Sequence, residues 1–258
     1  MTQLPFFKYQ ATGNDFILLD NTSNNINHSV DLAKKLCDRK FGIGSDGLII
    51  IQNHPDYDFE MVFYNPDGSQ SLCGNGSRCA VNFAKKLGLI SSSTTFLAHD
   101  GPHEASILKD GIVKLKMSDV HSVREMDDGI FIDTGSPHLV EFVFNHQTIN
   151  VFKEGKSIRN NNTFKDEGVN VNFVEVEGNT IHVRTYERGV EDETLSCGTG
   201  VTAAALASSG KGLKSPIAIK TKGGELEVAF QKVSETEFKN IYLIGPALEV
   251  FTGVIELN

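Results

Sequence analysis

Two stretches of this chain follow one template. Cys73 to Leu89 reads CGNGSRCAVNFAKKLGL and Cys197 to Leu213 reads CGTGVTAAALASSGKGL, ungapped, with Cys-Gly-x-Gly at the front and Gly-Leu at the back. Upstream, Gly13 of ATGNDFILLD precedes Cys73 by 60 residues, and Gly135 of DTGSPHLVEF precedes Cys197 by 62. Downstream, TTFLAHDGPHEASI and SPIAIKTKGGELEVAF each read as two short strands joined through a glycine turn. Matched spacing on both sides of a matched motif marks a duplication, which predicts two halves of one architecture. The boundary is placed near Ser118 and Asp119. This gives an N-terminal half, 1–118, carrying Cys73, and a C-terminal half, 119–247, carrying Cys197; the last strand, about 248–258, is free to pack back on the first half.

Periodicity fills in the halves. Strands are expected at Phe6 to Gln10, Phe16 to Asp20, Leu48 to Gln52 and Glu60 to Tyr64, with counterparts in the second half. The stretch VTAAALASS after Cys197 is small or apolar nearly all the way round, as in a helix buried on every side. After Cys73, the residues Ala80, Phe83, Ala84 and Leu87 recur at helical spacing. SSSTT at Ser91 to Thr95 and RNNNT at Arg159 to Thr163 read as loops by composition. The fold class is therefore α+β: two pseudo-symmetric halves, each a mainly antiparallel curled sheet around a central helix that begins at a cysteine.

A cysteine followed by Gly-x-Gly at a helix start sits where backbone N–H groups lack intrahelical partners and the helix dipole is positive. That field favours thiolate over thiol. Glycines without Cβ let an anionic group approach the same bare N–H groups, so the two helix starts can together hold one carboxylate. If the two helices form a pseudo-twofold pair facing a cleft, one thiol stands on each side of a bound molecule. With an α-amino acid there, one cysteine removes the α-proton and the other returns a proton to the opposite face, inverting the centre. The clamped carboxylate stabilises the carbanionic transition state. A free cysteine is ordinarily a small buried hydrophobe, and that reading is kept for Cys37 and Cys79. Packing alone does not explain two symmetry-related thiols at glycine-rich helix starts.

Bulk properties narrow the partners. A formal net charge of −9 opposes a nucleic-acid footprint and favours a small-molecule substrate. No apolar run approaches a membrane span, and the opening MTQLPFFKYQ has neither a basic nor a hydrophobic leader region, so a cytoplasmic location is expected. Four cysteines without a CxxC spacing predict free thiols and no metal site. GIGSDG lacks the following Lys-Ser/Thr of a phosphate-binding loop, so no nucleotide is expected.

Taken together, ATGNDFILLD, FGIGSDGLII, YNPDGSQSLCGNGSRC, DTGSPHLVE, GVNVNFVE and YERGVEDETLSCGTG resemble the diaminopimelate epimerase family, in order and over essentially the whole chain. Proline racemases and phenazine-biosynthesis isomerases share the fold, but GNDF and the ERG before CGTG point to the epimerase branch. The resemblance implies conversion of L,L-diaminopimelate to the meso isomer in lysine and peptidoglycan precursor synthesis, with no pyridoxal phosphate, metal or other cofactor. It also implies a homodimer. By position, Cys73 and Cys197 correspond to the catalytic pair, and Gly74, Asn75, Gly198 and Thr199 to the cradle for the reacting carboxylate. Asn14 resembles the family's substrate-binding asparagine. Asn65 and Asn170 match amides that hold the distal centre, and Glu187 and Arg188 match the pair that binds the ammonium and distal carboxylate. A planar guanidinium suits two-point binding of a carboxylate independently of the resemblance. Two positions depart from the pattern: Gly47 stands where some members carry a glutamine, and Ser136 where GNPH would place an asparagine. His138 beside it is either a structural histidine or a helper near the site. The alternatives are a racemase of another amino acid on the same scaffold and a non-catalytic amino-acid-binding protein.

Overall fold

A computed structural model describes residues 2–257. The chain divides into two compact units, one holding the chain up to Leu115 and again from Gly245, the other running Lys116–Ile244. The first unit contains β1 (Thr2–Ala11), β2 (Asn14–Asp20), α1 (Val30–Cys37), β3 (Gly47–Gln52), β4 (Glu60–Tyr64), α2 (Gly74–Lys86), β5 (Ser93–Ala98), β6 (Gly101–Ile107) and β7 (Val113–Lys116). Its strands join antiparallel at β1–β2, parallel at β2–β3, antiparallel at β3–β4, parallel at β4–β5, then antiparallel through β5–β6–β7.

The second unit contains β8 (Val123–Met126), β9 (Gly129–Asp133), β10 (Pro137–Phe142), α3 (Val151–Arg159), β11 (Asn170–Glu177), β12 (Thr180–Glu187), β13 (Asp192–Thr194), α4 (Gly198–Ser209), β14 (Ile217–Thr221), β15 (Gly224–Lys232) and β16 (Phe238–Gly245). From β9 onward its joins repeat the same order: antiparallel β9–β10, parallel β10–β11, antiparallel β11–β12, parallel β12–β14, antiparallel β14–β15–β16. The short β13 is an addition hung on β12. The final strand, β17 (Leu248–Leu257), lies antiparallel to β1 in the first unit, as β8 lies antiparallel to β9 in the second. The duplicated sequence thus folds into duplicated topology.

The apolar runs explain the layering. Phe16 to Leu19 and Leu48 to Ile51 are buried without a break, the pattern of strands covered on both faces. Side chains alternate between the two covers. Ile17, Leu19, Leu48 and Ile50 share a cluster with Ala33 and Leu36 of α1, while Phe16 and Ile49 reach the start of α2 at Gly76. In the second unit Leu139, Val171, Phe173 and Tyr186 cluster with Val151 of α3, while His138 and Asn172 reach the start of α4 at Gly200. Nearly all of α4 is buried, and its alanines, serines and threonines let the strands approach closely.

Composition missed three local features. The short helices α1 and α3 exist because Ser29 and Asn150 cap them, accepting from the Leu32 and Lys153 N–H groups at 3.2 and 3.0 Å. The polar run Ser91 to Thr95, expected as a loop, opens β5 at Ser93, and the ladder pairs Thr94 with Ala105. Threonine is β-branched and fits a half-buried strand, and Thr94 turns inward. Of the RNNNT run, Arg159 closes α3 and only the residues after it form turns. No helix among the described residues is long and apolar enough to cross a membrane.

Candidate active site

Cys73 is the N-cap of α2 and Cys197 the N-cap of α4, with nearly the same extended backbone, φ −128° and ψ 110° against φ −117° and ψ 114°. Each cysteine carbonyl accepts the first helical bond, from Ser77 at 2.7 Å and from Val201 at 2.9 Å. The glycines that follow, Gly74 and Gly198, therefore lie in the first turn, where N–H groups have no helical acceptor and attract negative charge.

The surroundings of the two sulfurs differ. Cys73 Sγ accepts from the Gly76 N–H at 3.4 Å and donates to Asn14 Oδ1 at 3.7 Å. Asn14 cannot turn: its amide oxygen also accepts from Asn75 Nδ2 at 3.2 Å and its amide nitrogen donates to Asp46 Oδ2 at 2.7 Å. Arg39 bridges Asp46 and Asp15 at 2.7 Å each, and Lys8 reaches Asp15 at 2.5 Å. One turn into α2, Arg78 is fully buried, held by Asn75 Oδ1 at 3.0 Å, Thr12 Oγ1 at 3.3 Å and the Gly74 carbonyl at 3.4 Å. Burial pushes its pKa down to about 10, so it remains a cation at neutral pH.

Cys197 Sγ lies 3.5 Å from Thr199 Oγ1, which lies 2.8 Å from His138 Nε2. His138 Nδ1 lies 3.2 Å from Asn172 Nδ2, and Asn172 Oδ1 accepts from the Thr185 hydroxyl at 2.9 Å. The Thr134 hydroxyl donates to the Thr199 carbonyl at 2.9 Å and steadies the same turn.

The residues assigned to the distal end of a substrate are placed as follows. Asn170 donates to Ser136 Oγ and to the Pro137 carbonyl, both at 2.9 Å, and accepts from the Arg188 N–H at 2.9 Å. Ser136 thus buttresses Asn170, and Asn170 in turn orients Arg188, whose guanidinium donates to the Glu167 carbonyl at 3.0 Å. Glu187 ends β12 immediately before Arg188. Asn65 turns its amide onto its own loop, donating to Ser69 Oγ at 3.0 Å and Ser71 Oγ at 3.1 Å. At Gly47 a Cβ would fall 2.4 Å from Phe63 Cε2, so the Phe63 ring occupies the room a glutamine would need. Asn14, Cys73, Gly74 and Asn75 therefore gather in one unit, and Cys197, Gly198 and Thr199 in the other; Asn65 belongs to the first unit, in the loop that leads to Cys73.

Sequence reasoning overlooked Asp46, Arg78, Asn172 and Thr185. Asp46 and Asn172 stood inside the stretches FGIGSDGLII and GVNVNFVE without being singled out, Thr185 lies just outside YERG, and an arginine among helical residues reads as solvent-facing. All four cysteines are free thiols. Burial raises the thiol pKa of both Cys37 and Cys79, which suits inert packing residues.

A family model described as diaminopimelate epimerase matches residues 6–123 and 130–250. The diaminopimelate epimerase of Flavobacterium psychrophilum is 49% identical, covering 98% of this chain and 100% of that protein. That of Aquifex aeolicus is 39% identical over 97% of each. Among solved structures, a phenazine biosynthesis protein of the PhzF family from Bacillus anthracis superposes with a TM-score of 0.76 at 15% identity, covering 100% of both chains. A probable proline racemase from Agrobacterium radiobacter gives 0.64 at 14% identity, covering 99% of this chain and 93% of that one. These distant structures establish the fold alone. Agreement of the family model along almost the full length, with relatives up to half identical from end to end, settles that the chain belongs to the diaminopimelate epimerase family.

Proposed function

We propose that this protein interconverts L,L- and meso-diaminopimelate by proton transfer between two thiols and one α-carbon, supplying lysine and peptidoglycan precursor synthesis. The observation that carries the reading is the pair of cysteine N-caps, Cys73 and Cys197, each opening a buried helix with Gly-x-Gly behind it. The chemistry asks for a weakly held proton on one sulfur and none on the other. One thiolate takes the α-hydrogen as a proton. The electron pair left on carbon delocalises into the carboxylate, and N–H groups of the helix starts at Gly74, Asn75, Gly198 and Thr199 stabilise that charge. The second thiol gives its proton to the opposite face. The two sulfurs exchange protonation states, and no cofactor is called on.

Arg188, Glu187, Asn14, Asn65 and Asn170 serve binding in this reading. Arg188 takes the distal carboxylate, and its backbone is held for the purpose by Asn170. A one-centre amino acid would leave Arg188 idle, which separates this substrate from those of other racemases on the scaffold. The reading includes a reducing, cytoplasmic setting, where thiols stay free, and a homodimeric enzyme without nucleic-acid or membrane partners.

The test is solvent deuterium uptake at the α-carbon of L,L-diaminopimelate, followed with a product assay. Wild-type protein should incorporate deuterium and form the meso isomer, and Cys73→Ser and Cys197→Ser should each lose turnover by orders of magnitude, because a hydroxyl is too weakly acidic to replace the thiol. Arg188→Ala should lose diaminopimelate turnover chiefly through KM. Full activity in either serine variant overturns the two-thiol scheme. Absence of uptake by reduced wild-type protein would favour a binding protein.

A further inference from the structure

The duplication allows the same positions to be compared beneath each helix start. Phe16 and His138 each stand three residues after the motif glycines Gly13 and Gly135. Ile49 lies opposite Leu18 and Phe63 in its sheet, and Asn172 lies opposite Val140 and Thr185 in the other. The first unit therefore fills these three positions with Phe16, Ile49 and Phe63, an apolar set in which the two rings meet edge to face at 6.1 Å. The second unit fills them with His138, Asn172 and Thr185, each no more than 3% exposed. Polar groups in a core cost free energy unless they are bonded, and only one of the two copies takes on that requirement.

Their bonds have a fixed direction. Asn172 Nδ2 faces the Leu139 carbonyl at 3.1 Å, a contact only a donor can make, and its second hydrogen points to His138 Nδ1 at 3.2 Å. Nδ1 must then be the bare nitrogen. Burial, helped by the charge of Arg188, brings His138 down to about 3, so the ring is neutral and its one proton sits on Nε2. Nε2–H donates to Thr199 Oγ1 at 2.8 Å. The Thr199 hydroxyl proton is left with Cys197 Sγ, 3.5 Å away, as its acceptor. Every donor in the series points toward the sulfur, and a donor to sulfur favours thiolate.

We propose that His138, Asn172 and Thr185 are positioning residues that lock this relay so that Cys197 rests as the thiolate, the member of the pair ready to act as base. Cys73 carries the exchangeable proton and donates it to the immobilised Asn14 carbonyl. Buried Arg78 interacts electrostatically with Cys73 and stabilises the thiolate that forms as that proton is delivered. Proton count is conserved: Cys197 gains the α-proton as Cys73 loses its own.

The inference rests on the reading of the two thiols as an acid/base pair, but its test uses no substrate, so the two can fail separately. Iodoacetamide alkylation is followed against pH in Cys73→Ala protein, reporting Cys197, and in Cys197→Ala protein, reporting Cys73. Cys197 should inflect at the lower pH. Thr199→Val and Asn172→Leu, each in the Cys73→Ala background, should raise the Cys197 inflection by about one pH unit or more, whereas Thr199→Ser should preserve it. Long-range 15N–1H NMR of wild-type protein should find His138 protonated at Nε2 and bare at Nδ1, a readout that survives if Asn172→Leu fails to fold. A proton on Nδ1, an unchanged inflection in Thr199→Val, or a Cys197 inflection above that of Cys73 overturns the proposal.

Discussion

A Cβ at Gly76 would stand 3.3 Å from Ile49 Cδ1, the end of a side chain that can swing aside. At Gly200 it would stand 2.5 Å from Asn172 Oδ1, an atom held by the Thr185 hydroxyl. Gly200→Ala should therefore cost about 1–3 kcal/mol by urea denaturation and Gly76→Ala clearly less; equal losses would mean that the polar set yields as readily as the apolar one. Both glycines and both cysteines are legible in sequence because they share a motif. The contrast between them is not, since it comes from side chains on distant strands. Arg78 was hidden for a related reason. Its acceptors, Thr12, the Gly74 carbonyl and Asn75, are common groups whose convergence only the fold produces.

The elements that carry Asn14 depend on charge as well as packing. Asp15 follows Asn14 in β2 beside the loop that bears Arg39 and Asp46, and although partial burial alone would raise its pKa, hydrogen bonds from Arg39 and Lys8 outweigh it and hold the carboxyl below its usual value. A carboxylate depressed in this way stabilises the folded state above its unfolded pKa of about 4, and that contribution fades as pH falls through the folded value. Wild-type urea midpoints should accordingly fall more steeply on acidification below about pH 4 than those of Asp15→Asn. Parallel profiles would show that this ion pair adds nothing. The strands around it were legible because FILL and LIII are unbroken apolar runs, which a two-sided core demands. The helices α1 and α3 were not, since each spans barely two turns and owes its existence to one cap and to the sheet beneath it. SSSTT misled because serine and threonine serve turns and strand edges equally well, and only pairing decides between them.

At the scale of the molecule, the repeat made the doubled architecture legible, and the identical order of strand joins in the two units is its physical expression. What the repeat left open is which strand the last segment, about 248–258, joins in completing the first half. Strand β1 pairs with β17 from Thr2↔Leu257 to Gln10↔Leu248, with a bulge at Lys8/Tyr9, and Tyr9 and Lys86 both reach Glu249. Ending the chain after Ala247 should leave β1 with an open edge, so limited proteolysis should cut first within β1 and β2 while fragments of the Lys116–Ile244 unit survive. Simultaneous loss of both units would mean that they unfold together. The same pairing sets an order of events during synthesis. Domains normally mature as they leave the ribosome, in the order they are made. Here the earlier-born unit must wait for the last strand to emerge, and its partner, encoded wholly in between, has all its pieces first.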